Sequence, residues 1–242
     1  MSGTGEEFIE KTKYRNLEIS AQQRGEHNPA LQKIFVDNAK ELPLPSPQNI
    51  KHSLREIIET RSSVREYKNE PISQEMLSYL LWCTQGVKEV YSQQCTLRTV
   101  PSAGARHAFE TFLLVNNVTE ISPGLYQYLA LDNKLAEFAT GDAIAQKIVN
   151  ACLGQDFVGK SAVTFFWVAV VERMRWRYSD RGFRYLFLEA GHVCQNLYLA
   201  AESLDCGVCA IAAFDDDKLN EIFNLDGKKE FVVYLAPVGR KK

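Results

Sequence analysis

Neither a G-x-G-x-x-G turn nor a P-loop occurs in the 242 residues. A nucleotide cofactor, if there is one, is therefore not held by a Rossmann turn or a Walker loop. Charge of one sign is also missing. The 28 Lys and Arg against 30 Asp and Glu leave a formal net charge of -2, without the basic excess that carries non-specific nucleic-acid binding. Nucleic acid is not an expected partner. The longest apolar run, Ala162 to Val171, is about half of what a bilayer requires. The opening MSGTGEEFIEKTKYR has no apolar core of signal-peptide type, so a cytoplasmic protein away from the membrane is expected.

Cysteine is too sparse for a disulfide framework in a chain of this size. Cys83, Cys95, Cys152, Cys194, Cys206 and Cys209 are scattered, and core thiols are expected. Only Cys206-Gly207-Val208-Cys209 has a spacing suited to a redox pair or half of a zinc site, and no second half is present. Repeats and low-complexity tracts are absent too.

What is present is a hydrophobic content of 45%, enough for one sizeable core. Residues 1–49 are polar and irregular and end in Leu42-Pro43-Leu44-Pro45-Ser46-Pro47, so an extended N-terminal arm is expected before a domain spanning 50–242. Apolar periodicity predicts a helix from Ser53 and another from Pro71 to Gly86, with Ser73 as N-cap and Gly86 as stop. Strands are predicted at Phe109–Val115 and Leu125–Leu131, with a third after the Asp132-Asn133-Lys134 turn as a hairpin near the sheet edge. Asp142–Leu153 has helical periodicity, and Ala162–Val171 fits a central strand covered on both faces. A long helix over Phe183–Leu204, a short one over Asp215–Asn224 and a last strand over Glu230–Val238 complete an α+β order.

Several clusters could carry chemistry. Arg61-Ser62-Ser63-Val64-Arg65 offers two guanidiniums and two hydroxyls that can surround a phosphate. A solvated helix terminus explains the same residues. Pro101-Ser102-Ala103-Gly104-Ala105 is a run of small residues that lets a flat ring approach the backbone, or an ordinary tight loop. Glu189, His192 and Asn196 share a stripe of the long helix beside Gln195, which calls for hydrogen-bond partners or a subunit contact. A metal there lacks its further ligands. The chain closes on Pro237-Val238-Gly239-Arg240, where glycine would release the strand.

In order and spacing these segments resemble the nitroreductase superfamily, and most closely its SagB-type dehydrogenase branch, from Arg55 to Arg240. The resemblance is carried by RSSVREY at 61–67, PSAGAR at 101–106, PGLYQY at 123–128, RGFRY at 181–185, EAGHVCQNLY at 189–198 and PVGR at 237–240. It implies a mixed or antiparallel sheet flanked by helices and FMN at a homodimer interface. It further implies phosphate and ribityl contacts from Arg61, Ser62, Ser63, Arg65 and Arg240 with Gly239. Pro101, Ser102, Ala103 and Gly104 would then lie against the isoalloxazine ring, with the Ala210–Phe214 loop on its other side. Where many relatives carry glutamate and glycine, this chain has Ala212 and Ala213 after Ile211, so contacts to N5 would come from backbone amides.

The activity so implied is a two-step exchange in which FMN takes electrons, with NAD(P)H as a possible donor, and gives them to a small conjugated electrophile such as a nitro compound or quinone. A runner-up is oxidation of azoline rings in a peptide. A reading of another class is a flavin- or partner-binding protein without turnover. Azoline-oxidising relatives carry a lysine before a tyrosine where this chain has Arg177 and Tyr178, and an arginine stays protonated where a tunable base is needed. Tyr178 is expected as donor or gate to a small substrate, with Arg177 beside it. A surface pairing of Arg177 with an acid is the plainer alternative.

Overall fold

A computed structural model describes residues 3–92, 95–141 and 143–242. In chain order its elements are α1 (Thr4–Lys11), β1 (Glu41–Pro43), α2 (Leu54–Thr60), α3 (Gln74–Gln85), β2 (Val87–Ser92), β3 (Cys95–Arg98), β4 (Phe109–Val115), β5 (Gly124–Leu129), β6 (Lys134–Thr140), α4 (Ile144–Ala151), α5 (Phe157–Lys160), β7 (Val163–Val170), α6 (Val171–Tyr178), α7 (Gly182–Glu202), β8 (Cys206–Val208), α8 (Asp216–Ile222) and β9 (Glu230–Arg240). Seven strands form one sheet in the order β1-β6-β5-β4-β7-β9-β8. Every ladder in it is antiparallel. The fold is α+β, as expected.

The strand β7 shows why. Each of its residues is buried, and the period-two alternation sends successive side chains to opposite faces. Phe165, Trp167 and Ala169 join a core with α3 and α7 residues such as Leu80, Leu81, Val193 and Leu197. Phe166 and Val168 join a second core with Ile148, Val158, Leu219 and Phe223. Each fully buried side chain of this size contributes about 1.5–3 kcal/mol. Thus β7 lies between β4 and β9, with helices covering both faces, and β5 and β6 form the expected hairpin one strand from the edge. Ser73 caps α3, its hydroxyl accepting from the Met76 amide, and Asp215 caps α8 through the Lys218 amide.

Four segments differ from the sequence reading. The N-terminal 49 residues contain α1 and the edge strand β1, which pairs with β6. They are bolted down by a buried ion pair. Glu110 and Arg173, each 3% exposed, meet at 2.5 Å. Glu110 also accepts from the Lys33 amide, and Arg173 donates to the Ala30 and His107 carbonyls. The apolar run passes straight into a helix: α6 starts on Val171, directly after β7, in a stretch rich in charge. A separate hairpin of β2 and β3 was not foreseen. The helix expected over 142–153, by contrast, is present as α4, with Asp142 outside the described residues.

The last difference bears on the site. The strand β9 runs through Gly239 to Arg240 instead of ending at the glycine. Gly239 pairs with Gly207 of β8, and the segment after α2 lies across this pair. The Val64 amide donates to the Val208 carbonyl, and the Tyr67 hydroxyl donates to the Val64 and Pro237 carbonyls. A Cβ on Gly207 would sit 2.5 Å from Val64, and one on Gly239 would sit 2.8 Å from the Tyr67 ring. The glycines make room for the arginine-bearing segment. Among the described residues no helix is long and apolar enough to cross a membrane.

Gly207→Ala is expected to cost about 1–3 kcal/mol by overpacking and to loosen the 61–67 segment, read by urea denaturation. Unchanged stability would contradict the close packing.

Candidate functional site

The candidate residues fall into two groups on either flank of α7. The first group surrounds the connection from α7 to β8. Arg61, the residue that ends α2, lays its guanidinium over the Tyr198 ring, 5.3 Å from the centroid. The Tyr198 hydroxyl lies 3.0 Å from Ser63 Oγ and accepts from the Ala210 amide at 2.8 Å. Ser62 and Arg65 are exposed. Arg65 lies close enough to Cys209 to favour its thiolate. Arg240 donates to the Leu204 carbonyl at 3.0 Å. All three arginines thus line one edge of the sheet, although the described contacts do not bring them onto a common point.

Beyond β8, Ile211 buries its side chain and uses both its amide and its carbonyl on Leu235. It is a sheet residue. Ala212 and Ala213 are exposed, and their amides donate to no group among the described residues. They are the open donors of this loop. Gly239, buried under Tyr67, serves packing. Cys206 and Cys209 are buried thiols; burial pushes Cys206 up to about 11 and raises Cys209. Neither has the thiolate character of a redox pair. Among the described residues no group of three His, Cys, Asp or Glu could hold a metal ion.

The second group is built on the small-residue loop. Buried Glu189 accepts the Ala103 amide at 2.7 Å and a hydrogen bond from Ser102. Ser102 Oγ in turn accepts from the His107 amide at 2.8 Å. Burial raises the Glu189 carboxyl to about 7, against the effect of those hydrogen bonds. Gly104 has φ +58, and a Cβ on it would meet the Tyr178 hydroxyl at 2.7 Å and Arg177 Cδ and Nε at 2.8 Å. The loop and the Arg177-Tyr178 pair therefore touch, although α6 was not foreseen. Tyr178 packs edge-on against Tyr185, with ring centroids 4.8 Å apart, and the Tyr185 hydroxyl meets that of Tyr14 at 2.9 Å. Arg177 lies over the Tyr178 ring and forms no ion pair among the described residues; its neighbour Arg175 takes Asp180 instead.

The stripe on α7 divides. Glu189 fixes the loop and Asn196 donates to the Cys83 carbonyl, while His192 and Gln195 are exposed. Arg106, Tyr185 and Tyr198 lie inside the resembling motifs, and sequence alone assigns them no role. Only the periodicity of α7 could have placed Tyr198 opposite Glu189. A cavity of about 620 Å³ lies between the N-terminal segment and α6, lined by Leu17, Trp176 and Phe183 among others, and contains no residue of either group. Within one chain, Ser62, Arg65, Ala212 and Ala213 of the first group and Gly104 and Arg177 of the second are exposed.

A sequence model of the Nitroreductase family matches residues 58–240. The chain belongs to the nitroreductase family, whose members are generally oxidoreductases and typically bind FMN. It is 35% identical over 206 residues to nitroreductase MJ1384 of Methanocaldococcus jannaschii, covering 85% of this chain and 99% of that one. It is 29% identical over 135 residues to the microcin B17-processing protein McbC of Escherichia coli, covering 53% of this chain and 49% of that one. A solved nitroreductase structure from Anabaena variabilis superposes with a TM-score of 0.73 at 28% identity, over 86% of this chain and 42% of that one. The likeness to McbC is to a relative of the SagB type.

One titration is predicted from the site. Because the Glu189 carboxyl is raised from 4.5 to about 7, the folded state holds its proton where the unfolded state has lost it. Stability therefore falls as pH rises from about 4.5 to about 7, by up to about 3 kcal/mol. His107 works the other way. Burial first, then the charge of Arg98, lowers it from 6.5 to about 3, so its contribution is lost as pH falls below 6.5. Glu189→Gln should remove only the first slope, with urea midpoints at pH 5 and pH 8 as the measure. An unchanged difference between the two pH values would contradict the assignment.

Proposed function

We propose that the chain is an FMN-dependent oxidoreductase that works as a homodimer, its flavin held between the arginine edge of one subunit and the small-residue loop of the other. One observation carries this reading. Glu189, which holds the loop, and Tyr198, which carries Arg61, are nine positions apart on α7. At 3.6 residues per turn that is about two and a half turns, and about 13 Å along the axis. The two groups thus sit on opposite flanks of one helix, where a single ligand on one chain would have to wrap around it. Between the flanks lie Phe187 and Leu188, 56% and 61% exposed, with Gly191, His192 and Gln195. Leu54 and Ile58 of α2 add exposed apolar surface. A second copy laid over this stripe covers it and brings its own loop towards the first copy's arginines, as a two-fold interface requires.

The residues present fit FMN. Arg61 and Arg65 offer planar donor forks for one phosphate, with Ser62 and Ser63 as further donors. Gly104 keeps the loop low, and the open amides of Ala212 and Ala213 are donors without a side chain in the way. When bound, FMN supplies hydride chemistry to a donor and then an acceptor. Glu189 fixes the loop through the Ala103 amide. Tyr178 presents a hydroxyl at the same loop as hydrogen-bond donor to a substrate. The donor we expect is NAD(P)H, and the acceptor a small conjugated electrophile. Family membership supports the oxidoreductase class, while donor and acceptor rest on the resemblance.

The likeness to McbC favours a second reading, azoline oxidation in a peptide. Arg177 weighs against it. Proton removal from the ring calls for a group that can lose its own proton near neutrality, and a guanidinium does not.

Three outcomes are expected. The purified protein is yellow with about one FMN per chain, and Arg61→Glu purifies without it while retaining its helical circular dichroism; stoichiometric FMN in that variant would remove the phosphate assignment. Sedimentation gives a dimer at nanomolar concentration, and a flavin-loaded monomer would end the shared-site reading. Thiazoline and oxazoline peptides show no Tyr178-dependent loss of two mass units per ring; efficient conversion would establish the second reading instead.

A further inference from the structure

We infer that the small molecule exchanged at this site carries a carboxylate, held by the Arg177 guanidinium and the Tyr178 hydroxyl beside Gly104. This rests on the oxidoreductase reading above and deepens it by naming the substrate class. Arg177 is one of two arginines in the last turn of α6 and is exposed, yet it is not a loose surface side chain. Its Cδ and Nε lie 2.8 Å from where a Gly104 Cβ would sit, too close for a side chain there, and its guanidinium lies over the Tyr178 ring at 5.8 Å. The contact that fixes it is packing. A surface ion pair, the plainer expectation, is absent among the described residues.

The charge around it points the same way. Arg106 stands next to Arg177, its Nε donating to the Gly104 carbonyl at 3.0 Å and its Nη1 to Asn28 Oδ1 at 2.5 Å, with its guanidinium over the Trp176 ring. After burial, the charge of Arg177 is the largest influence holding the Arg106 pKa down. Below the loop, Arg98 and Arg173 are 5% and 3% exposed. For Arg98, Arg173 and Arg177 together, Glu110 is the one ion-pair partner among the described residues. The neighbouring guanidiniums of Arg106 and Arg177 repel one another at short range. A carboxylate bound at the rim offsets that repulsion. Its planar oxygens match the guanidinium fork in a bidentate pair, and Tyr178 adds a third donor.

The test uses the full-length protein as purified, with its flavin content measured first. Isothermal titration compares 4-nitrobenzoate with 4-nitrobenzamide, which differ in charge and little in shape. Hydrogen bonds to a charged group predict that the benzoate binds roughly tenfold tighter or more. Raising the salt from 0.05 M to 0.5 M should shrink that ratio, because exposed charges are screened. In Arg177→Gln the ratio should fall to about one, and in Arg177→Lys, which keeps the charge without the fork, it should lie between. Equal or weaker binding of the benzoate by the wild type overturns the inference, as does a preference that survives in a folded Arg177→Gln. If that variant does not fold, Arg177→Lys decides: a ratio unchanged from the wild type overturns the inference, and a reduced one supports it. A flavin-free protein whose preference for the benzoate is lost in Arg177→Gln keeps the anion site and removes the flavin reading, whereas a flavin-loaded protein without preference does the reverse.

Discussion

The buried pair of Glu110 and Arg173 holds together the parts on which the site depends. Ion pairs taken out of water are stable only when their remaining donors and acceptors are satisfied. Here the satisfying groups come from two places: the Ala30 carbonyl and Lys33 amide of the N-terminal segment, and the His107 carbonyl that follows the small-residue loop. Arg173 stands one turn before Arg177 on α6. The pair thereby sets the distance between α6 and the loop, and so brings the Tyr178 hydroxyl to Gly104. It also explains why a polar N-terminal stretch is ordered, since the chain there supplies partners that the interior pair cannot do without.

The helix α7 does the corresponding work for the whole site. Its buried arc packs on the sheet through Leu186, Ala190, Val193 and Leu197, and the residues at the two edges of that arc, Glu189 and Tyr198, each organise one group. A helix presents its faces in fixed order, so two functional groups on opposite flanks cannot be drawn together by side-chain motion. They can be joined across a two-fold axis. The exposed Phe187 and Leu188 between them give such an axis something to bury.

The core of this arrangement was legible in the sequence because it obeys simple periods. The buried run at β7, the capped helices α3 and α8 and the length of α7 all follow from apolar spacing and capping chemistry. The arginine segment and the small-residue loop were visible as clusters, and their order along the chain gave the family. What was not legible depends on contacts distant in sequence. The helix α6 is masked by its charge, since Arg173 is buried through a partner more than sixty residues away. Gly239 read as a strand end, whereas the ring of Tyr67 fills the place of its side chain. Ile211 read as a flavin contact, whereas Leu235 takes both of its backbone groups. The role of Glu189 needed the Ala103 amide to be seen against it.

The central claim is that one flavin site draws on two chains, and subunit complementation tests it most directly. Arg61→Glu disables the arginine edge, and Gly104→Val disables the loop, where a side chain would collide with Tyr178 and Arg177. Each variant alone should purify without flavin. Co-expressed with different affinity tags and isolated as the mixed dimer, the two should restore one intact site, and so about half of the wild-type flavin content per dimer. A mixed dimer as colourless as either parent would show that both groups serve one site within a single chain, and would contradict the account.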